Sequence, residues 1–291
     1  MGGYYKAGNA DMTADTVGHI PPMNLASLTT YRSLGDNTLW WPTWLDNLVR
    51  GGVMPNIVLE HKVFSGTAPD VPAPNMLCTF TGSTKFYGYT QTTSGVLDPL
   101  LTRFANAIKA LPYRVNLQLP ESEVDTYHQQ GGTINGIAYT WEQLDALAVQ
   151  AADYMRTFFA AHGVANATYT LGNGGWNHDS FIRAYWSSAD AIQFNAYNHG
   201  TYRSPYDVFN RTYAWLPELP TSSQTKPVYL AEWGCGADLD QDNWIRSVPS
   251  AITQLPRIAM MNYFNSAPGW GTLDAGGLAA LIDCYNDPIY A

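Results

Sequence analysis

From Tyr113 to the end, the sequence alternates short apolar runs with longer amphipathic ones, and this order constrains the fold more than any other feature. YRVNLQL (113–119), ATYTL (167–171), AIQFNAYN (191–198), the apolar part of KPVYLAEWGCG (226–236) and RIAMMNYFN (257–265) read as strands. Between the first two lies TWEQLDALAVQAADYMRTFFAAHG. There Leu144, Leu147, Ala151, Met155 and Phe158 recur at helical spacing, Thr140 and Gln143 form a capping box, and Gly163 marks the stop. SFIRAYW, NWIRSVPSAITQL and AGGLAALIDCYND supply further helices. Connections this long are crossovers, so the strands they join should be parallel.

Upstream, DPLLTRFANAIKALP reads as a helix with Asp98 as its cap and Pro99 at the first helical position. GGYYKAG, NIVLEHKVF and TKFYGYT are strand candidates that bring the total to eight. Eight strand–helix units make a (β/α)8 barrel, and 291 residues suit a single catalytic domain of that kind over 1–291.

Composition narrows the function classes. With 46% hydrophobic and only 13% charged residues, the chain can bury a substantial core. A net charge of -9 without Lys/Arg clusters argues against a nucleic-acid surface. No run approaches the ~18 apolar residues of a membrane span. The opening MGGYYKAGNADM has neither the basic region nor the apolar core of a signal peptide. It fits a domain excised from a larger secreted or virion-tail protein, acting extracellularly or on the virion. Cys78, Cys235 and Cys284 are too few and too widely spaced for a disulfide framework. Three buried free thiols are expected, with one bridge left open. Asn166 (NAT) and Asn210 (NRT) match glycosylation sequons, a pattern short enough to arise by chance. His128, His162, His178 and His199 lack metal-ligand spacing.

In a barrel of this kind the chemistry sits where strands end. Tyr5 and Lys6 follow the first strand, and Glu60 and His61 close NIVLEH. Glu121 follows the fourth strand, and Tyr197 and Asn198 end the sixth. Glu232 and Trp233 end the seventh, and Asn262 and Asn265 end the eighth, with Trp270 just beyond. Two glutamates at different strand ends are what acid-assisted cleavage of a glycosidic bond requires. One is protonated to donate to the leaving oxygen, and the other is ionised to attack the anomeric carbon. A strand-end glutamate also reads as a solvated rim residue, as Glu123, Glu218 and Asp125 do. Glu60 and His61 serve equally well as a sugar subsite or a structural pair. Cys235 has no histidine beside it and reads as a small buried side chain.

Several separated segments together resemble glycoside hydrolase family 26 and the related retaining (β/α)8 glycosidases. SGVLDPLLTRFANAIKALPYRVNLQLPE is similar to the stretch leading into the acid/base strand, and MRTFFAAHGVANATYTLG to the helix and strand after it. ADAIQFNAYN resembles a sixth strand ending in tyrosine, and KPVYLAEWG the nucleophile strand. NYFNSAPGWGTLDAGGLAALIDCYNDPIY resembles the family's ending. The resemblance implies a retaining endo-glycosidase acting on a polysaccharide or oligosaccharide without a cofactor or metal. Glu232 would be its nucleophile, Glu121 its general acid/base, Tyr197 the partner of the nucleophile and Trp270 a wall of the subsite. The chain departs from the pattern at LPESE. Pro120 stands where the family has histidine, and Leu117 or Gln118 where it has arginine, so Glu121 and Glu123 both remain candidates for the acid. That departure motivates the rival reading, a non-catalytic carbohydrate-binding or structural barrel.

Overall fold

The structure is a computed structural model that describes residues 2–5, 27–34, 54–60, 62–63, 77–79, 85–87, 89–119, 133–134, 137–265 and 273–290. The principal strands are β1 (Gly2–Tyr5), β2 (Ser27–Ser33), β3 (Met54–Glu60), β4 (Val115–Gln118), β5 (Ala167–Thr170), β6 (Ile192–Asn198), β7 (Val228–Cys235) and β8 (Ile258–Asn265). The helices are α1 (Tyr89–Thr93), α2 (Asp98–Lys109), α3 (Trp141–Ala161), α4 (His178–Arg183), α5 (Pro205–Tyr213), α6 (Gln241–Ile252) and α7 (Ala275–Tyr285).

The chain divides into two compact units, Met1–Thr30 with Trp44–Pro55 and Ala191–Ala291, and Tyr31–Thr43 with Asn56–Asp190. In the first unit the ladder runs β2-β1-β8-β7-β6, and every pair in it is parallel. In the second it runs β5-β4-β3, again parallel throughout. Parallel strands linked through helices are the α/β order that the sequence alternation foretold.

The second unit shows why these residues take these elements. Ile57, Leu117 and Tyr169 lie side by side across β3, β4 and β5, and they join one buried cluster with Leu101, Phe104 and Ile108 of α2 and Ala148, Met155 and Phe159 of α3. Each such Leu, Ile or Phe contributes about 1.5–3 kcal/mol on burial. The other face carries amides and hydroxyls: Asn116 Nδ2 donates to Asn56 Oδ1 at 2.7 Å and to Thr170 Oγ1 at 3.2 Å, and Thr168 Oγ1 donates to Asn116 Oδ1 at 3.1 Å. All four residues of β4 are buried, so this polar face is shielded from water, and Asn116 meets its needs within it.

Helix α3 begins as its capping box requires. Gln143 N–H donates to Thr140 Oγ1 and Thr140 N–H donates to Gln143 Oε1, and Gly163 follows the last turn with φ of +78°. Two expectations need correction. Asp98 does not cap α2; it lies inside the helix, where its Oδ1 accepts from Tyr154 Oη at 2.6 Å. TKFYGYT is not a strand of the main ladders: Lys85–Tyr87 sits in a small antiparallel sheet with Lys62–Val63 and Leu77–Thr79. The parallel strand missing from that count is β2, whose SLTTYRS is too polar to stand out in the sequence. Asn166, in the NAT triplet, donates to the carbonyls of Ile108, Leu111 and Tyr113 at 2.9–3.0 Å. Its nitrogen fastens the end of α2 to the start of β4.

Candidate active site

The first unit places a carboxylate on the face of its sheet that points away from the helices, through a change in strand phase. Leu230 pairs with Phe194 and Glu232 with Asn195, so β7 accommodates one extra residue, Ala231, against β6. The ladder to β8 skips at the same place, between Leu230 and Trp233. Simple alternation from Leu230 would put Glu232 on the helix side. The bulge shifts the phase and re-aims the side chain, a common use of bulges beside functional sites.

After the bulge, Glu232 shares a face with Asn195 and Tyr197, and Trp233 takes the opposite one. Tyr197 Oη donates to Glu232 Oε2 at 2.6 Å. Tyr197 is steadied by Phe264 of β8, edge-on with ring centroids 5.9 Å apart. The carboxyl is only 7% exposed, and burial pushes its pKa up to about 8. A charged carboxylate at this position therefore depends on hydrogen bonds that favour the ionised form.

Trp233, a candidate site residue at the end of the seventh strand, lies on the face opposite Glu232. It is fully buried and meets Phe209 of α5, Trp244 of α6 and Tyr263 of β8 at centroid distances of 6.0, 6.0 and 4.8 Å. Its indole packs strand against helix on the side away from Glu232. Asn198 is also occupied within the protein: Nδ2 donates to Cys235 Sγ at 3.3 Å, and Oδ1 accepts from Arg203 N–H at 3.2 Å. Cys235 and Cys284 are buried free thiols. Burial raises the Cys235 pKa to about 11, outweighing the Asn198 hydrogen bond, so at neutral pH it is a thiol rather than a nucleophilic thiolate. Glu121, Glu123, His61 and Trp270 lie outside the described residues, as does the side chain of Glu60. Among the described residues no group of three His, Cys, Asp or Glu could hold a metal ion.

Two residues that the sequence reading passed over stand out. Among the described residues, Asn195 and Gln118 are the side-chain amides whose nitrogen and oxygen are both buried without a hydrogen-bond partner. Asn195 lies beside Glu232 in the β6–β7 ladder, and Gln118 ends β4, three residues before Glu121. The signal for them was the alternation of Gln and Asn in VNLQ and IQFNAYN, polar at every second position in strands that are wholly buried.

Comparison with known proteins bears on the scaffold. No protein-family model matches the sequence, and no curated protein matches it either. Among solved structures, the glycoside hydrolase family 26 domain of an endo-beta-mannanase/endo-beta-glucanase from Prevotella bryantii is similar, with a TM-score of 0.62 and 14% identity over 99% of this chain and 88% of that one. A family 26 beta-mannanase from Bacteroides ovatus matches equally, with a TM-score of 0.62 and 14% identity over 99% and 88%. A family 5 broad-specificity endoglucanase from Clostridium cellulovorans has a TM-score of 0.62 and 12% identity over 96% and 88%. At such identities the likeness speaks for the fold: the chain shares its architecture with the barrel glycosidases of families 26 and 5, the group its sequence resembles.

Proposed function

We propose that this chain is a retaining endo-glycosidase that hydrolyses a polysaccharide by double displacement. Its strands would close into a (β/α)8 barrel forming one catalytic domain. The observation that carries the reading is the Tyr197–Glu232 pair, a buried carboxyl re-aimed by a bulge near the end of a parallel strand and met at 2.6 Å by a phenol. The shared architecture with families 26 and 5 supports it.

Glu232 attacks the anomeric carbon while Glu121 gives its proton to the departing oxygen, which leaves as an alcohol. Glu121, now ionised, takes a proton from water, and that water releases the sugar from Glu232. The carboxyl groups in such a pair stand ~5–5.5 Å apart. Trp270, Glu60 and His61 are proposed sugar contacts, and neutral glycans of the mannan and glucan type are the first substrates to try. No described helix is long and apolar enough to cross a membrane, and an extracellular polymer is the natural target of such an enzyme.

The test compares wild type with Glu232→Gln on a panel of mannans, glucans and xylans, counting reducing ends. Loss of a nucleophile lowers kcat by at least ~10³-fold. A variant as active as wild type would overturn the assignment. The rival, a barrel that binds sugar without cleaving it, draws on the burial of Glu232, because a carboxyl protonated at neutral pH cannot attack. Saturable binding without product from the wild type would favour it.

A further inference from the structure

The unpartnered amide of Asn195 has an unusual position. Three asparagines of the first unit are buried in or at the end of its strands at 2% exposure or less: Asn195, Asn198 and Asn262. Asn262 is used at both ends, with Oδ1 accepting from Ser27 Oγ at 2.7 Å and Nδ2 donating to Thr29 Oγ1 at 2.6 Å. Asn198 is used at both ends as well, by Cys235 and Arg203. Asn195 has neither atom engaged. Leaving a buried amide wholly unpaired costs more than its hydrogen bonds return, so a group of this kind in a folded protein calls for a polar partner.

The surroundings indicate the partner. Asn195 is the register partner of Glu232, and it precedes Tyr197 by two residues, so all three side chains leave the sheet on one face. On the other face Phe194 and Ala196 accompany Trp233, which is packed against α5 and α6. Tyr197 serves Glu232 Oε2. We propose that Asn195 is a positioning residue for the nucleophile: its amide N–H holds a water molecule that donates to the Glu232 carboxylate, a donor additional to Tyr197. The inference rests on Glu232 acting as the nucleophile, which requires the ionised form.

Strands β6 and β8 flank that carboxylate. From β6 the titratable neighbour is Tyr197. β8 presents Asn262 and Phe264 on this face, while its Tyr263 lies against Trp233 on the other. Among the described residues, none of these neighbours is a cation, and Tyr197 is a neutral donor to the carboxylate.

The experiment titrates the Glu232 carboxyl directly. Protein labelled with 13C at the glutamate side-chain carboxyl is followed by NMR from pH 4 to 10, and Glu232→Gln assigns the resonance. Replacing Asn195 by Leu keeps the branching and heavy-atom count and removes the donor, which should raise the Glu232 titration by on the order of one pH unit. The acidic limb of kcat/KM should move up by the same amount. Asn195→Thr retains a hydroxyl donor in a strand-compatible shape and should stay close to wild type, which also guards against a folding defect in the leucine variant. A titration that is the same in wild type and Asn195→Leu would overturn the proposal. The readout does not depend on turnover. If Glu232→Gln is inactive and the titration does not move, only the role of Asn195 falls. If Glu232→Gln is fully active and the titration moves, the nucleophile falls and the amide–carboxylate coupling stands.

Discussion

Glu232 is costly to keep where it is, and the cost can be measured. In the unfolded chain its carboxyl titrates near 4.5, and in the folded protein burial raises that to about 8. Between those values the unfolded state has released a proton that the folded state still holds. The unfolded state therefore binds fewer protons, and stability falls as pH rises through the window. The contribution of this carboxyl is fully present below the unfolded value and has been lost once pH reaches the folded one. At about 1.4 kcal/mol per pH unit, the loss reaches a few kcal/mol by pH 8. Glu232→Gln keeps the shape and cannot ionise. It should match wild type near pH 4 and exceed it by about 2–4 kcal/mol near pH 8 in urea denaturation. A constant difference across that range would mean that Glu232 is ionised in the native state at all these pH values, its charge fully compensated. A site that weakens the fold at the pH where it must work is the usual sign that function has been selected at the expense of stability.

At the scale of elements, short polar devices decide how strands and helices meet. The bulge at Ala231 determines which of Glu232 and Trp233 faces Tyr197. Asn166 does comparable work in the second unit, holding the carbonyls of Ile108, Leu111 and Tyr113 together at the α2–β4 junction. Asn166→Ala should cost about 1–3 kcal/mol, the usual penalty for unpaired groups. Asn166→Asp, nearly identical in shape, should cost more, because it turns an anionic oxygen toward three carbonyl oxygens. Comparable urea midpoints for the two variants would rule this out. These devices also explain what was legible in the sequence. The helix α3 and the strands β4 to β8 announced themselves through apolar period, a capping box and a terminal glycine, all of which are local signals. β2 did not, because SLTTYRS turns Ser27 and Thr29 toward Asn262, a partner more than 230 residues away. Glu232 was legible as the carboxylate ending an apolar strand. The burial of Trp233 was not, since a one-residue bulge reverses the face of every residue after it and leaves no mark in composition.

At the scale of the whole molecule, the reading comes down to the fate of the anomeric centre. Parallel strands joined through helices repeat the architecture of barrel glycosidases, yet an architecture hosts many chemistries and does not select one. The proposed pair does select. If Glu232 forms a covalent glycosyl-enzyme, two successive inversions return the starting configuration. A carboxyl pair ~5–5.5 Å apart leaves no room for the water that single displacement needs, whereas ~6.5–9.5 Å admits it. Proton NMR during the first minutes of hydrolysis, before mutarotation scrambles the reducing end, separates the two. With a β-linked mannan or glucan the newly released reducing ends should appear first as the β-anomer, with the α-anomer growing in later at the rate of spontaneous mutarotation. Early α-anomer would convert Glu232 from nucleophile to general base. The pKa near 8 that burial gives its carboxyl would then count against activity at neutral pH for a different reason, because the base too must be ionised. Either result requires Glu232 to lose its proton before it can act. The acidic limb of the pH profile should therefore follow the titration of this one carboxyl, whichever anomer appears first.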